Sequence, residues 1–274
     1  MPENKIIISR WIGEFGNNLE QIASSICFAK CICGITEIYF PNYSNYTDLL
    51  NLNYKLILSK EYDYSIKEFD LIDWITNCYY TPALNYVGCD YKNLIVNEMA
   101  NIFKNNIKPM LNFNILKNKF DINENTLTIH LRGGDILNLT HPLYQQSNVS
   151  WEFYKKILER KKYKKVIICK QDNLNPFYKE ILKFCLEKNI EVDDKDRSFS
   201  EDYYILAHSF NILVSGFSTF SLTASYMNEN LNNFYYPLLA PEDQSHKEKF
   251  RLKILEKTQC KLNLYNKENS LVKL

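Results

Sequence analysis

Thr126-Leu127-Thr128-Ile129-His130-Leu131-Arg132-Gly133-Gly134-Asp135 is a β-branched run that ends in an arginine, two glycines and a carboxylate. Alternation along such a run sends Leu127, Ile129 and Leu131 to one face and Thr128, His130 and Arg132 to the other. A strand that breaks on paired glycines lets a ligand approach the backbone. The segment therefore reads as a sheet strand with a binding loop at its carboxyl end.

Downstream the same alternation repeats. A helix is expected over Trp151 to Lys162, capped by Ser150, followed by a strand at Lys165 to Cys169 and a helix near Pro176 to Lys188. Ile190 to Val192 reads as a strand. Ser198 with Glu201 fits a capping box that opens a helix to Ala207. Asn211 to Val214 is a strand, Thr219 to Asn228 a helix, and Phe234 to Tyr236 a last strand. Strands alternating with helices argue for a parallel sheet, in which ligands gather at the carboxyl ends of the strands.

Upstream the pattern is shorter. Lys5 to Ser9 is an apolar run, Trp11 to Asn18 a loop carrying Gly13 and Gly16, and Leu19 to Cys33 has helical spacing stopped by Gly34. Ile35 to Phe40 closes this unit as a second strand. Between Asn42 and Asp121 the signals weaken to a strand at Lys55 to Leu58 and a helix at Leu94 to Phe103. The expected architecture is α/β, with an N-terminal domain over 1–125, a C-terminal domain over 126–258 and a polar tail over 259–274.

The chain has 274 residues, of which 46% are hydrophobic and 24% charged, so two packed domains are affordable and disorder is excluded. A formal charge of +1 carries no electrostatic footprint for nucleic acid or an anionic membrane surface. No stretch approaches the roughly 18 apolar residues of a membrane span, and the first residues lack the pattern of a signal peptide. A cytoplasmic protein with reduced thiols is expected. The 8 cysteines form no C-x-x-C pair and mostly lie in apolar runs, which favours buried free thiols over a metal site. Asn, Ile, Lys and Tyr are abundant, so single Asn and Tyr residues carry little information, whereas the 7 glycines carry more.

Three segments concentrate the side chains that an anionic ligand needs. Gly13-Glu14-Phe15-Gly16-Asn17 permits a tight turn into a helix and presents an amide beside its N-terminus. It is not the G-x-G-x-x-G of a dinucleotide site. His130 and Arg132 share a face, and a guanidinium suits bidentate contact with a diphosphate, although an internal pair with Asp135 is the plainer reading. Ser215-Gly216-Phe217-Ser218-Thr219-Phe220-Ser221 clusters hydroxyls and backbone N–H groups at a helix start, a natural anion cradle or a simple N-cap. Trp11, Trp74 and Trp151 read as core aromatics before they read as sugar platforms.

Taken in order, G-x-F-G-N-x-x-x-Q over 13–21, H-L-R-x-G-D over 130–135 and E-D-x-x-x-L-A followed by S-x-F-S-T-F-S over 201–221 resemble the α-1,2-fucosyltransferases and their relatives, the protein O-fucosyltransferases and α-1,6-fucosyltransferases. The resemblance spans roughly residues 5 to 230 and leaves 42–121 uncovered. It implies a GT-B fold of two Rossmann-like domains and a glycosyltransferase that moves fucose from GDP-fucose to a glycan hydroxyl, with inversion and without a metal or cofactor. It also implies roles. Arg132 would hold the β-phosphate, and His130 and Gly133 would flank the nucleotide. Ser218, Thr219, Phe220 and Ser221 would cradle the phosphates, Asp172 and Asp202 would lie near the nucleoside, and Asn17 would reach toward the sugar. Asp135, Glu14 and His141 remain open as the general base.

Two segments depart from the α-1,2 pattern. Gly133 stands where those enzymes carry a second arginine, and Leu222-Thr223 stand where they often carry two tryptophans. Another GDP-sugar or linkage is the neighbouring reading. A non-catalytic nucleotide-sugar or glycan-binding protein is the alternative from a different class.

Overall fold

The computed structural model describes residues 5–8, 11, 13–31, 37–40, 49–50, 55–57, 89–134, 149–160, 163–238, 246–258, 260–265 and 271–272. Asp135, His141 and Trp74 lie outside them. The chain divides into two compact units, Met1–Ile115 and Leu116–Leu274.

In the first unit β1 (Lys5–Ile7) pairs parallel with β2 (Glu37–Tyr39), and β2 pairs antiparallel with β3 (Lys55–Ile57). Helix α1 (Phe15–Cys31) links the parallel pair. Its expected apolar stripe is buried, with Leu19, Ile22, Ala23, Ile26 and Cys27 all at 1% exposure or less. The helix starts four residues earlier than its apolar periodicity suggests, and the extra turn also buries Phe15 and Asn18. Helix α2 (Cys89–Ile102) continues through a π-helical turn at Phe103–Ile107. Trp11 stacks on Phe40 at 5.9 Å, a packing role.

The second unit carries a seven-stranded sheet. Its strands are β4 (Thr126–Leu131), β5 (Lys165–Lys170), β6 (Glu191–Asp193), β7 (Asn211–Val214), β8 (Asn233–Pro237), β9 (Lys261–Tyr265) and β10 (Leu271–Val272). Their spatial order is β10-β9-β8-β7-β4-β5-β6, and every pair is parallel except β9 with β10. The six parallel strands thus follow the 3-2-1-4-5-6 order of a doubly wound, Rossmann-like sheet, and the chain reverses direction across the sheet between β4 and β7.

Among the described residues these strands are accompanied by the helices α3 (Trp151–Arg160), α4 (Tyr178–Glu187), α5 (Phe199–His208), α6 (Thr219–Tyr226) and α7 (His246–Glu256). The expected alternation of β4 explains how they are placed. Leu127, Ile129 and Leu131 join Phe153, Ile157 and Leu158 of α3 and Ile181 and Cys185 of α4 in one core cluster. On the other face Thr128 Oγ1 lies 2.6 Å from Ser209 Oγ at the end of α5, and His130 meets Phe220 of α6. β7 and β8, central strands of the parallel sheet, are buried along their full length.

The polar end of the chain departs from expectation. Lys261–Tyr265 is a strand of the sheet rather than part of a loose tail. Its alternation of Leu262 and Leu264 with polar neighbours is a strand signal that the surrounding lysines obscure. Trp151 packs against Tyr154 and Phe184 at 6.4 and 5.9 Å, as a core aromatic does.

Candidate functional site

Carboxyl ends of β4, β5 and β7 lie side by side, and the loops that leave them hold most of the polar residues singled out above. Register places His130 opposite both Cys169 of β5 and Val214 of β7. The loops are then stitched together through the main chain. Ser215 donates its N–H to the His130 carbonyl at 3.1 Å, and Ser215 Oγ accepts the Arg132 N–H at 2.8 Å.

An aromatic hub gathers the helix starts around the same point. The Phe220 ring lies 5.5 Å from His130 and 5.0 Å from both Phe199 and Tyr203. The first turns of α5 and α6 are thereby tied to the end of β4. Phe199 and Tyr203 were not singled out in the sequence, because aromatics are too abundant in this chain for any one to signal.

Three features at this place can meet an anion. Arg132 is half-buried at the strand end. Helix α6 begins at Ser218 without any side-chain cap, so its first N–H groups and the positive end of its dipole face the loop. Ser218 itself is 1% exposed, and its hydroxyl has no hydrogen-bond partner among the described residues. A buried hydroxyl without a partner costs roughly 1–3 kcal/mol, which a ligand can recover. Ser221 differs, since its hydroxyl donates to the Ser218 carbonyl at 3.2 Å. Thr219 is buried in the same first turn.

His130 Nδ1 is likewise shut from solvent and has no hydrogen-bond partner among the described residues. Burial, with the neighbouring Arg132 charge, pushes the imidazole down to about 3, so it is neutral at ordinary pH. Asp202 lies in the first turn of α5 beside the end of β5, where the Cys169 thiol reaches its carbonyl at 3.9 Å. Burial pushes its carboxyl up to about 7, against the pull of Arg197, whose guanidinium is 3.9 Å from Oδ1. That oxygen has no hydrogen-bond partner among the described residues.

Asp172 has a different environment. Its Oδ2 accepts the Gly134 N–H at 2.7 Å and its Oδ1 accepts the Leu174 N–H at 2.9 Å. Gly133 is packed beneath it, because a Cβ there would lie 2.8 Å from the Asp172 Cγ and Oδ2 and closer still to Oδ1. The space that a second arginine would need is filled by a carboxyl group. Gly134 in turn adopts φ +69°, which a side chain at that position would strain.

Glu14 and Asn17 belong to the first unit. Glu14 is exposed just before α1 and its carbonyl accepts the Asn18 N–H at 3.0 Å, while Asn17 is half-buried in the first turn. Among the described residues no group of three His, Cys, Asp or Glu side chains could hold a metal ion. The thiols of Cys27, Cys169 and Cys185 are buried and form no disulfide. No helix among the described residues is long and apolar enough to cross a membrane.

No family model matches the chain, and no curated protein matches it in sequence. One solved structure that it is similar to is a crystal structure of POFUT1, a protein O-fucosyltransferase, in complex with GDP. The likeness extends over 83% of this chain and 95% of that one, at 11% identity and a TM-score of 0.45. At that score it decides neither fold nor chemistry.

Proposed function

We propose that the chain is an inverting, metal-independent glycosyltransferase of GT-B type that moves fucose from GDP-fucose to a hydroxyl of a glycan. One observation carries this reading. Arg132 and the uncapped start of α6, with its buried Ser218 hydroxyl, follow the two adjacent strands between which the strand order of a doubly wound sheet reverses. Such a reversal is where these sheets bind nucleotides. A guanidinium and a helix N-terminus at one point suit a diphosphate.

In this mechanism the acceptor oxygen attacks the anomeric carbon as the bond from that carbon to the β-phosphate oxygen breaks. The bonding pair leaves with GDP, and Arg132 stabilises the charge that develops there. The acceptor proton passes to a base, for which Asp135, Glu14 and His141 are the candidates. Ser218, Thr219 and the N–H groups of α6 hold the phosphates, His130 borders the nucleotide, and Asp202 supplies the carboxyl that selects guanine over uracil. Removing one donor to a developing charge costs roughly 3 kcal/mol, or about 100-fold in rate.

Calorimetric titration of the full chain with GDP, UDP and GDP-fucose, all in EDTA, tests the reading. Binding of GDP and GDP-fucose but not UDP is expected. Absence of any GDP binding would remove the proposal.

A further inference from the structure

Arg132 is useful to a phosphate only if its guanidinium is aimed, and a long side chain on a glycine-rich loop is poorly aimed by itself. The loop after β4 is nevertheless gripped from both neighbouring strands. On the β7 side Ser215 Oγ accepts the Arg132 N–H at 2.8 Å. On the β5 side Asn175, 4% exposed, donates from Nδ2 to the Arg132 carbonyl at 2.9 Å and accepts the Phe177 N–H at its Oδ1 at 3.0 Å. Two residues further along the gripped loop, Asp172 accepts the Gly134 N–H while its other oxygen is held by the Leu174 N–H. Both peptide groups of Arg132 and the one entering Gly134 are therefore fixed by side chains distant in sequence.

We propose that Asp172 and Asn175 act as a clip that positions Arg132 for the β-phosphate, with Gly133 as the part of the loop that fits beneath the clip. The proposal rests on the reading of Arg132 as the phosphate anchor. Asp172 then serves the nucleotide through the Arg132 loop, whose Gly134 N–H its Oδ2 accepts. Asn175 cannot be replaced by aspartate without loss, since a carboxylate still accepts from Phe177 but cannot donate to the Arg132 carbonyl. Asparagine at 172 would turn an amide N–H₂ toward one of two N–H donors.

The test compares GDP with GMP, which lacks the phosphate that Arg132 is aimed at, by titrating the full chain in wild-type form and as Asn175→Asp, Asp172→Asn and Gly133→Ala. Each substitution at the clip should weaken GDP at least 10-fold and GMP less than twofold, with the melting transition kept. Gly133→Ala should weaken GDP similarly in the wild-type background. It should add less than twofold in an Asp172→Ala background, where the carboxyl it collides with is gone. Either of the two isosteric clip variants suffices if the other fails to fold. Unchanged GDP affinity, equal losses for GDP and GMP, or the same Gly133→Ala effect in both backgrounds would overturn the clip while wild-type binding keeps the phosphate site. A wild type that binds no GDP overturns the phosphate reading and the clip with it.

Discussion

His130, half-buried with its Nδ1 shut from solvent, and the buried Asp202 are titratable groups whose shifts have opposite consequences for stability. His130 stays neutral in the fold down to about 3, whereas an unfolded chain protonates it near its ordinary 6.5. Stability contributed by the neutral ring is complete above about 6.5 and is lost as pH falls toward 3. Asp202 is protonated in the fold up to about 7, while the unfolded chain ionises it near 3.8. Its contribution is complete below about 3.8 and is lost as pH rises through 7. Asp202→Asn should therefore melt above wild type at pH 8, with the gap closing toward pH 4. The reverse dependence would show that the buried carboxyl is ionised and paired with Arg197. For His130→Gln, melting scans should show a smaller loss between pH 7 and pH 4 than wild type shows. Arg132→Ala should lower kcat for transfer by about 100-fold with an unchanged melting temperature, and near-normal turnover would remove it from the leaving-group role.

Helix starts and strand ends depend on a few side chains that can be removed singly. The capping box expected at Ser198 is present, with the Ser198 hydroxyl accepting from the Glu201 N–H at 3.3 Å and Glu201 Oε2 accepting from the Ser198 N–H at 2.7 Å. Ser198→Ala should cost about 1 kcal/mol in urea denaturation. Buried asparagines matter more. Asn211 donates to the Glu124 and Thr126 carbonyls at 2.9 and 3.0 Å and accepts from Asn233 at 2.8 Å, which ties the start of β7 to β4 and β8. Asn211→Ala removes these bonds, those to Thr126 and Asn233 from the interior, and should cost roughly 2–3 kcal/mol, read from the same denaturation curves. Asn228 does similar work after α6, donating to the Leu206 and Ser209 carbonyls at 3.0 and 2.7 Å. An abundant residue type therefore hides several structural anchors.

For the chain taken together, the division into Met1–Ile115 and Leu116–Leu274 leaves Arg132, the clip and the start of α6 within one unit. A fragment spanning 116–274 should accordingly bind GDP in EDTA within about tenfold of the full chain, and should not transfer fucose. Calorimetry and a transfer assay check the two halves of that expectation. Loss of GDP binding in a folded fragment would mean that the donor site needs residues of the first unit.

Periodicity, caps and breakers are interactions between residues a few positions apart, and they were enough to locate β4 and β7 to the residue and most helices to within a turn or two. They also marked His130, Arg132 and the Ser215–Ser221 segment as strand-end chemistry. The same local signals faded across 42–121 and in the lysine-rich end, where β9 went unread. Asp172 and Asn175 could not be assigned locally. Their partners in the Arg132 loop lie 38 and 43 positions away, and nothing in either neighbourhood favours those bonds over a solvent-exposed turn. Parallel pairing of β4 with β5 brings the two loops together, and their close approach leaves Gly133 as the residue that fits.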